Sequence, residues 1–288
     1  MQLQCGIHSL ELPDRENNSI PKIMGILNIT PDSFSDGGSY YQSGKLSLDL
    51  VMRRAETMLA EGANIIDVGG ESTRPGALLV TEQAELDRVI PVVEALVTKL
   101  GALVSVDTST AKVIQEAALA GASMINDVRA LQREDALVAA AKTGLPICLM
   151  HMQGEPKSMQ YAPEYGDVVV DVAVFLQSRV NACVAVGIEK QRILLDPGFG
   201  FGKTLAHNLA LLARLNELVD LGQPILVGLS RKSLIDQLLN RGVDERLPGS
   251  LALALAAADR GAAIMRVHDV SATYDALRVL DAIKNQNS

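Results

Sequence analysis

The chain has 288 residues, of which 48% are hydrophobic and 3% aromatic, and it contains no tryptophan. Its 26 Lys and Arg residues face 34 Asp and Glu residues, which gives a formal net charge of −8 and a pI of about 5.1. This acidic balance argues against a protein that binds nucleic acid or an anionic membrane, since both need a basic surface. A few clustered basic residues can still form a local site for an anionic small molecule.

The three cysteines, Cys5, Cys148 and Cys183, form no closely spaced pair. Neither a zinc site nor a disulfide framework is therefore predicted. The N-terminus has no basic stretch followed by an apolar run, and no run of about 18 apolar residues occurs along the chain. We expect a cytoplasmic protein with reduced thiols and no membrane span.

Short runs rich in Ile, Val and Leu alternate with longer helical patterns along almost the whole chain. The runs lack strict polar alternation, which is typical of parallel strands buried on both faces. The predicted strands are Ile23–Asn28, Asn64–Val68, Leu103–Asp107, Ser123–Asn126, Pro146–Met150, Arg192–Asp196, Pro224–Gly228 and Ala263–Val267. The predicted helices are Leu46–Ala60, Glu82–Leu100, Thr110–Ala120, Asp167–Val186, Asn208–Leu221, Leu234–Arg260 and Thr273–Ile283.

Eight strand–helix units of about 36 residues each predict an α/β protein with a single (β/α)8 TIM-barrel domain over residues 1–288. A doubly wound open sheet shows the same alternation and is the structural alternative, but the even spacing favours a closed barrel. Residues 1–20 precede this pattern. We expect this short N-terminal extension to form a hairpin that covers the bottom of the barrel.

Polar or charged side chains stand at the C-terminal ends of seven of the eight predicted strands. In a barrel these ends meet on one face, where the active sites of this fold lie. Any single carboxylate at a strand end could simply cap the following helix, but the whole set predicts a site. The set consists of Asn28, Asp67, Asp107, Asn126, Asp196, Ser230–Lys232, Arg266 and His268.

Two kinds of chemistry follow from these residue types. Asp107, Asn126 and Asp196 suit a flat nitrogen heterocycle whose N–H and amino groups donate hydrogen bonds. A basic group offers donors to phosphate or carboxylate oxygens, and it consists of Arg74, Lys232, Arg266 and His268. The long loops 28–38 and 67–77 are rich in Gly, Pro, Ser and Thr, and we expect them to be mobile lids over the site.

Three further signals are weaker. The segment 198–204, GFGFGKT, is similar to a phosphate-binding loop, but Pro197 stands where that motif requires glycine. Lys232 could form a Schiff base, as in barrel aldolases, or could simply hydrogen-bond a polar substrate. His151 follows the fifth predicted strand and could be catalytic, but a loop histidine is more often a structural hydrogen-bonding residue.

Eight segments in order along the chain resemble the dihydropteroate synthases, and the resemblance covers Pro21 to Leu280. The segments are NITPDSFSDGG (28–38), DVGGESTRPGA (67–77), SVDTS (105–109), IND (125–127), LMHMQG (149–154), LLDPGFGFGK (194–203), GLSRKS (228–233) and RVHDV (266–270). Enzymes of this family condense 6-hydroxymethyl-7,8-dihydropterin pyrophosphate with p-aminobenzoate. Sulfonamides resemble the arylamine substrate, so the resemblance implies that they inhibit this protein.

The resemblance also implies a role for each matching residue. It implies a pterin pocket formed by Asp107, Asn126, Met150, Asp196, Phe201, Gly228 and Lys232. It implies that pyrophosphate, together with Mg2+ at Asn28, is bound by Asn28, Arg74, Arg266 and His268. It implies that p-aminobenzoate lies near Phe34, Thr73, Arg74, Pro75, Lys232 and Ser233, and that the catalytic residues are Asp107, Asp196, Lys232 and Arg74.

For the reaction we expect a dissociative route, because an arylamine is a poor nucleophile and the pyrophosphate must leave first. Carboxylates would stabilise the pterin-methyl cation, while Mg2+ and basic residues would accept the growing charge on the leaving group. A pterin-binding methyltransferase barrel is one alternative, although it has no use for the two long loops. A paralogue that binds pterin without turnover is the other.

The sequence gives one indication of assembly. Leu, Ala and Val are plentiful in the predicted helices Leu234–Arg260 and Thr273–Ile283. Apolar helices on the outside of a barrel can form a two-fold interface. We therefore expect a homodimer.

Overall fold

The computed structural model describes residues 1–13, 19–30, 40–42, 45–72, 80–154, 159 and 163–287. Within these ranges the strands are β1 (Gln2–Cys5), β2 (His8–Glu11), β3 (Lys22–Asn28), β4 (Tyr41–Gln42), β5 (Lys45–Leu46), β6 (Ile65–Gly69), β7 (Val104–Asp107), β8 (Met124–Asp127), β9 (Ile147–Met150), β10 (Ile193–Asp196), β11 (Ile225–Val227) and β12 (Ala262–Val267). The helices are α1 (Leu48–Ala60), α2 (Glu82–Leu100), α3 (Ala111–Leu119), α4 (Ala136–Thr143), α5 (Val168–Ala185), α6 (Leu205–Ala213), α7 (Leu215–Val219), α8 (Ser233–Leu239), α9 (Leu247–Asp259) and α10 (Val270–Lys284).

Eight of these strands close into a parallel barrel. Around the barrel the order is β3, β6, β7, β8, β9, β10, β11 and β12, and β12 pairs with β3 through Met265 and Ile23. This last pairing leaves no free sheet edge, so it confirms the predicted (β/α)8 barrel and excludes the open sheet. Because all eight strands are parallel, their C-terminal ends emerge on one face.

The core is aliphatic and has two layers, one inside the barrel and one between the strands and the helices. The five residues of β6 are all buried, as are the four residues of β9 and of β10. The outward-facing side of the strands packs against the helices in one large cluster that includes Val92, Leu96, Ile114 and Leu211. Continuous burial on both faces explains why the strand segments lack alternating polarity.

The N-terminal hairpin closes the bottom of the barrel. Strands β1 and β2 pair antiparallel around Gly6 and Ile7, which confirms the predicted hairpin. Its inward side chains Leu3 and Leu10 join a second apolar cluster. The barrel side chains in that cluster come from the first half of the strands and are Met24, Ile65, Met124, Cys148, Leu194, Leu226 and Ile264. The bottom of the barrel is therefore filled by hydrocarbon.

Helix α5 is apolar enough, at 18 residues and a mean hydropathy of 1.6, to cross a membrane by length and composition alone. Here it lies on the barrel with Val172, Leu176 and Val180 fully buried. Arg179 on the same helix donates hydrogen bonds to the carbonyl groups of Ala130 and Leu131. A helix packed on a core passes the same test of composition, so that test does not identify a membrane span here.

Two predicted helices are wrong in extent. The predicted helix Leu234–Arg260 is divided into α8 and α9, because Asn240 adopts a left-handed conformation with φ of 51° and ends α8. A short 3-10 helix, Val243–Glu245, follows, and Pro248 stands in the first turn of α9, where proline is favoured. Pro248 is therefore the sequence signal for the start of α9.

The predicted helix Asn208–Leu221 is likewise divided into α6 and α7. Its first turn starts earlier, at Leu205, because Thr204 and His207 form a capping box. Arg214 leaves the helical conformation between the two helices, and its side chain binds Asp167 and Glu217. The eight-residue helix α4 was not predicted, since it is too short to show a clear periodicity.

The packing of the hairpin can be tested by substitution. We expect Leu3→Ala to lower the free energy of unfolding by about 2–5 kcal/mol, because Leu3 is fully buried against the barrel and its loss leaves a cavity. Ile7→Ala, in the turn of the same hairpin and 94% exposed, is the control and should change it by less than about 0.5 kcal/mol. Urea unfolding measures both. Similar losses at the two positions would contradict a packed hairpin.

Candidate active site

Neighbouring strand ends place polar side chains in one row across the top of the barrel. Asn28 of β3 is in register with Gly69 of β6, Gly69 with Asp107 of β7, and Asp107 with Asn126 of β8. Gly69 lacks a side chain, so the residues on either side approach each other. A Cβ atom at Gly69 would stand 3.4 Å from Asn28 Oδ1 and 3.9 Å from Asp107 Oδ2. The barrel register therefore brings three predicted site residues together.

Arg266, on β12, connects two carboxylates at the centre of the mouth. Its Nε donates a hydrogen bond to Asp67 Oδ2 at 2.7 Å, and its Nη2 donates to Asp107 Oδ2 at 2.9 Å. Asp67 is fully buried, and Asn126 Nδ2 lies 3.4 Å from the same oxygen. Asp67 stood in the predicted set of strand ends, but no role was predicted for it. The structure shows that it holds the guanidinium of Arg266 in place.

The carboxyl groups of Asp107 and Asp196 lie in a desolvated environment. Burial raises the pKa of both groups. The positive charge of Arg266 opposes this rise at Asp107, and the charge of Lys232 does so at Asp196. The Gly198 N–H also donates to Asp196 Oδ1 at 2.7 Å. Direct charge-assisted contacts favour the ionised form of a carboxyl group, so we assign carboxylates to both residues.

Lys232 reaches the mouth from the loop after β11. Its ammonium group donates to the carbonyl of Phe199 and lies 4.6 Å from the centroid of the Phe201 ring, within the range of a cation–π contact. Burial lowers the pKa of Lys232 to about 8, and the charge of Asp196 opposes this shift. Gly228 leaves space beside the amine, since a Cβ atom there would lie 3.9 Å from Lys232 Nζ.

The loop after β10 folds tightly against the end of β9. Gly198 has a φ of +67°, and a Cβ atom at this position would stand 1.8 Å from the carbonyl oxygen of His151 and 3.3 Å from Met150 Cγ. Only glycine is compatible with both constraints. The backbone N–H of His151 donates to the carbonyl of Asp196 at 2.9 Å. Met150 and Asp196 are thus fixed relative to each other.

Contacts with the residues that follow β12 hold the turn that carries Lys232. Arg231 has a left-handed φ of 57° and forms an ion pair with Asp269. His268, predicted to bind pyrophosphate, lies with its ring Nδ1 3.1 Å from the hydroxyl oxygen of Ser230. Ser233 is exposed as the first residue of α8. The strand-end residues therefore surround one opening.

Two buried basic residues lie in the loops beside this opening, and sequence reasoning gave a site role to neither. The ammonium of Lys203 lies 2.9 Å from His151 Nδ1, and both residues are buried. Burial lowers the pKa of Lys203 to about 7 and that of His151 to about 3. The interpretation of His151 as a hydrogen-bonding residue agrees with this contact. The available signal for Lys203 was its position at the end of a glycine-rich segment.

A polar network beside the mouth was also missed. Arg129 binds the Glu71 carboxylate through two hydrogen bonds of 2.9 and 3.0 Å, and Arg133 reaches the same carboxylate at 3.3 Å. Arg133 also donates to Thr110, which donates to Glu85 at 2.7 Å. Glu71 and Arg129 are 58 positions apart, so no local sequence pattern indicates their pairing.

Four predicted site residues lie outside the described residues, and they are Phe34, Thr73, Arg74 and Pro75. Residues 31–38 of the first predicted lid loop and 73–77 of the second also lie outside. The remaining predicted residues belong to the strand ends and loops on the upper face of the barrel, except Ser233, which begins α8. They are Asn28, Asp107, Asn126, Met150, Asp196, Phe201, Gly228, Lys232, Ser233, Arg266 and His268.

Comparisons with known proteins agree with this arrangement of site residues. The family described as pterin binding enzyme matches residues 24–268. The dihydropteroate synthase of Escherichia coli (strain K12) is 56% identical over 264 residues, which cover 92% of this chain and 92% of the relative. That of Haemophilus influenzae is 54% identical over 267 residues, covering 93% of this chain and 95% of the relative.

Solved structures are similar over the whole length. The Yersinia pestis dihydropteroate synthase with a sulfonamide drug complex has a TM-score of 0.92 at 54% identity, and the match covers 99% of this chain and 100% of that one. The Xanthomonas albilineans dihydropteroate synthase with 4-aminobenzoic acid has a TM-score of 0.88 at 46% identity, with 98% of each chain covered. The chain therefore belongs to the pterin binding enzymes and, among them, to the dihydropteroate synthases, which are alkyl-transferring enzymes.

Proposed function

We propose that this enzyme binds the dihydropterin ring in the mouth of the barrel, between Asp107, Asn126 and Asp196 on one side and Lys232 on the other. The observation that carries the proposal is the gathering of these hydrogen-bonding groups in one desolvated opening. Carboxylate oxygens accept hydrogen bonds from the N–H and amino groups of the ring, and Lys232 donates to its acceptors. Met150, Phe201 and Gly228 lie around these groups and complete the pocket.

For the pyrophosphate we propose Asn28, Arg74, Arg266 and His268. Two of the five N–H groups of Arg266 are used by the described residues Asp67 and Asp107, so others can bind phosphate oxygens. His268 lies on the same side, at the end of β12.

A magnesium ion is part of this proposal. The described residues contain no group of three His, Cys, Asp or Glu side chains able to hold a metal alone. Mg2+ commonly takes one or two protein oxygens and completes its shell with substrate phosphates and water, so the single amide oxygen of Asn28 fits a metal carried by the substrate. When bound, the ion neutralises negative charge on the pyrophosphate.

For p-aminobenzoate we propose the neighbourhood of Lys232 and Ser233, together with Phe34, Thr73, Arg74 and Pro75. Relatives support this class of ligand, since one has been solved with 4-aminobenzoic acid and another with a sulfonamide drug. We propose that sulfonamides occupy the same space in this enzyme.

The chemistry proposed is dissociative. The C–O bond to pyrophosphate breaks with its electron pair on the leaving group, and a pterin-methyl cation forms. Asp107 and Asp196 stabilise the cation electrostatically, while Arg74, Arg266 and His268 stabilise the departing anion. The amine of p-aminobenzoate then forms the C–N bond and loses a proton. Lys232 acts as a hydrogen-bond donor, and no covalent enzyme intermediate is needed.

A cytoplasmic homodimer completes the proposal. Exposed apolar side chains on α8 and α10, namely Leu238, Leu239, Val279 and Ile283, support an interface between two copies. The three cysteines are free and buried, which is compatible with a reducing compartment.

The reaction itself is tested by pyrophosphate release from 6-hydroxymethyl-7,8-dihydropterin pyrophosphate. We expect fast release that needs both Mg2+ and p-aminobenzoate and yields dihydropteroate, because the amine consumes the cation and makes release irreversible. Slow release without the amine supports the dissociative route. Pterin binding without any release would favour the non-catalytic alternative.

Substitution of Asp107 tests the proposed electrostatic stabilisation of the pterin-methyl cation. We expect Asp107→Asn to lower kcat by about 10²–10³ with the fold intact, because a preorganised charge is lost while Asp67 still pairs with Arg266. Steady-state kinetics and circular dichroism measure the two effects. Asp87→Asn, on the exposed face of α2, is the control and should leave kcat unchanged. Near-normal turnover of Asp107→Asn would exclude the cation mechanism.

The charge of Lys232 predicts a pH dependence. We expect kcat/KM to fall as the pH rises through about 8, since the amine then loses the proton it donates. The Asp196 carboxylate favours the ammonium form, so Asp196→Asn should lower the pKa of Lys232 and move the alkaline limb to lower pH. pH–rate profiles of both proteins measure this. An alkaline limb at the same pH in Asp196→Asn would contradict the assignment.

A further inference from the structure

Lys203 is a buried cation that the proposed reaction does not use. It ends the glycine-rich segment 198–203, and only 3% of the residue is exposed. Its Nζ donates to the carbonyl of Gly198 at 2.8 Å and to the carbonyl of Phe201 at 3.0 Å, and it lies 2.9 Å from His151 Nδ1. A buried charge of this kind is costly, so its presence beside the active site calls for a role.

The three contacts define the chemical state of the group. An ammonium has three N–H donors, and three acceptors lie within 3.0 Å of Lys203 Nζ. Nδ1 of His151 must then be the acceptor, which leaves the ring neutral with its proton on Nε2. Burial and the charge of Lys203 both lower the pKa of His151, in agreement with a neutral ring. Phe175 packs edge-on against this ring at 4.9 Å and fixes its orientation.

The opposite side of the same segment faces the pterin pocket. The carbonyl of Phe199 accepts a hydrogen bond from Lys232, and the ring of Phe201 lies 4.6 Å from the ammonium of Lys232. The carbonyl groups of residues 198 and 201 thus point to Lys203, while the carbonyl of residue 199 points to Lys232. One short segment is held between two lysines.

Other contacts hold the second half of the segment. Gly202 has a φ of +62°, and a Cβ atom there would stand 2.4 Å from the carbonyl oxygen of Gln153. Asn208 accepts a hydrogen bond from the Gly200 N–H at 2.7 Å, and Tyr165 donates to the Gly202 carbonyl at 2.8 Å. These contacts hold residues 200 and 202 of the turn. The carbonyl of Phe201 accepts a hydrogen bond from Lys203, and the carbonyl of Gly198 accepts one from Lys203 and another from the Phe201 N–H at 3.1 Å.

We propose that Lys203 is a positioning residue for the pterin substrate: together with His151 it holds segment 198–202 so that the Phe201 ring and the Phe199 carbonyl meet Lys232 in the geometry that binds the ring. This inference rests on the proposed pterin pocket. Loss of Lys203 leaves the Phe201 carbonyl without this donor and leaves the Gly198 carbonyl with the Phe201 N–H as its remaining donor. The segment then relaxes, and the Phe199 carbonyl moves away from Lys232.

Pterin affinity tests this role. The probe is 6-hydroxymethyl-7,8-dihydropterin, which lacks the leaving group, and its Kd is measured by calorimetry in slightly acidic buffer. We expect Lys203→Met to weaken binding by about tenfold, the effect of losing roughly one hydrogen-bonded contact. Lys142→Met, an exposed lysine at the end of α4, is the control and should bind as the wild type does.

A pair of substitutions at His151 separates positioning from general destabilisation. His151→Leu and His151→Asn both remove the ring that packs on Phe175, but only Asn retains an acceptor near the place of Nδ1. We expect His151→Leu to weaken pterin binding by about three- to tenfold and His151→Asn to remain within about twofold of wild type. This pair also keeps the test valid if Lys203→Met does not fold.

These measurements distinguish failure of the proposed pterin pocket from failure of the proposed role of Lys203. If the wild type fails to bind the pterin, the proposed pocket is wrong. If the wild type binds and Lys203→Met binds equally well, only the role of Lys203 is wrong. Equal losses in His151→Leu and His151→Asn would likewise reject positioning through the acceptor.

Discussion

The guanidinium of Arg266 lies between the fully buried carboxylate of Asp67 and the partly buried carboxylate of Asp107, and the polar chemistry at the mouth depends on this bridge. Carboxylates withdrawn from water lose several kcal/mol of solvation each, and only close cations with good geometry offset that loss. A single planar group with five donors can serve two acids and still offer N–H groups to a ligand. The enzyme thus keeps negative charge in a desolvated opening through ion pairs with Arg266.

The need to pair desolvated carboxylates with cations extends to the loops after β10 and β11. Three carboxylates in and around the mouth are matched by three cations, and these residues are Asp67, Asp107, Asp196, Lys203, Lys232 and Arg266. The lysines differ from the arginine because burial lowers their pKa values to about 7 and 8. Their charge is therefore adjustable near neutral pH, whereas that of the arginine is fixed. Backbone carbonyls from the glycine-rich segment supply the remaining acceptors.

The two ends of the barrel divide stability from chemistry. At the bottom, the hairpin residues Leu3 and Leu10 close the interior with hydrocarbon, which contributes folding free energy without any polar cost. At the top, the strand ends carry charged groups that are crowded into a small space. These groups lower the stability of the fold. A barrel suits this division, since parallel strands deliver all their C-terminal ends to one face.

The sequence by itself determined the barrel and most of the strand-end residues of the candidate site, because buried parallel strands read as apolar runs and their polar ends follow at once. It also determined the family, through eight ordered segments. Only the tertiary structure decided that Asp67 pairs with Arg266, 199 positions away, that Lys203 meets His151, 52 positions away, and that Glu71 binds Arg129. Local patterns report periodicity over a few residues. Contacts between distant strands depend on barrel register, which no local pattern contains.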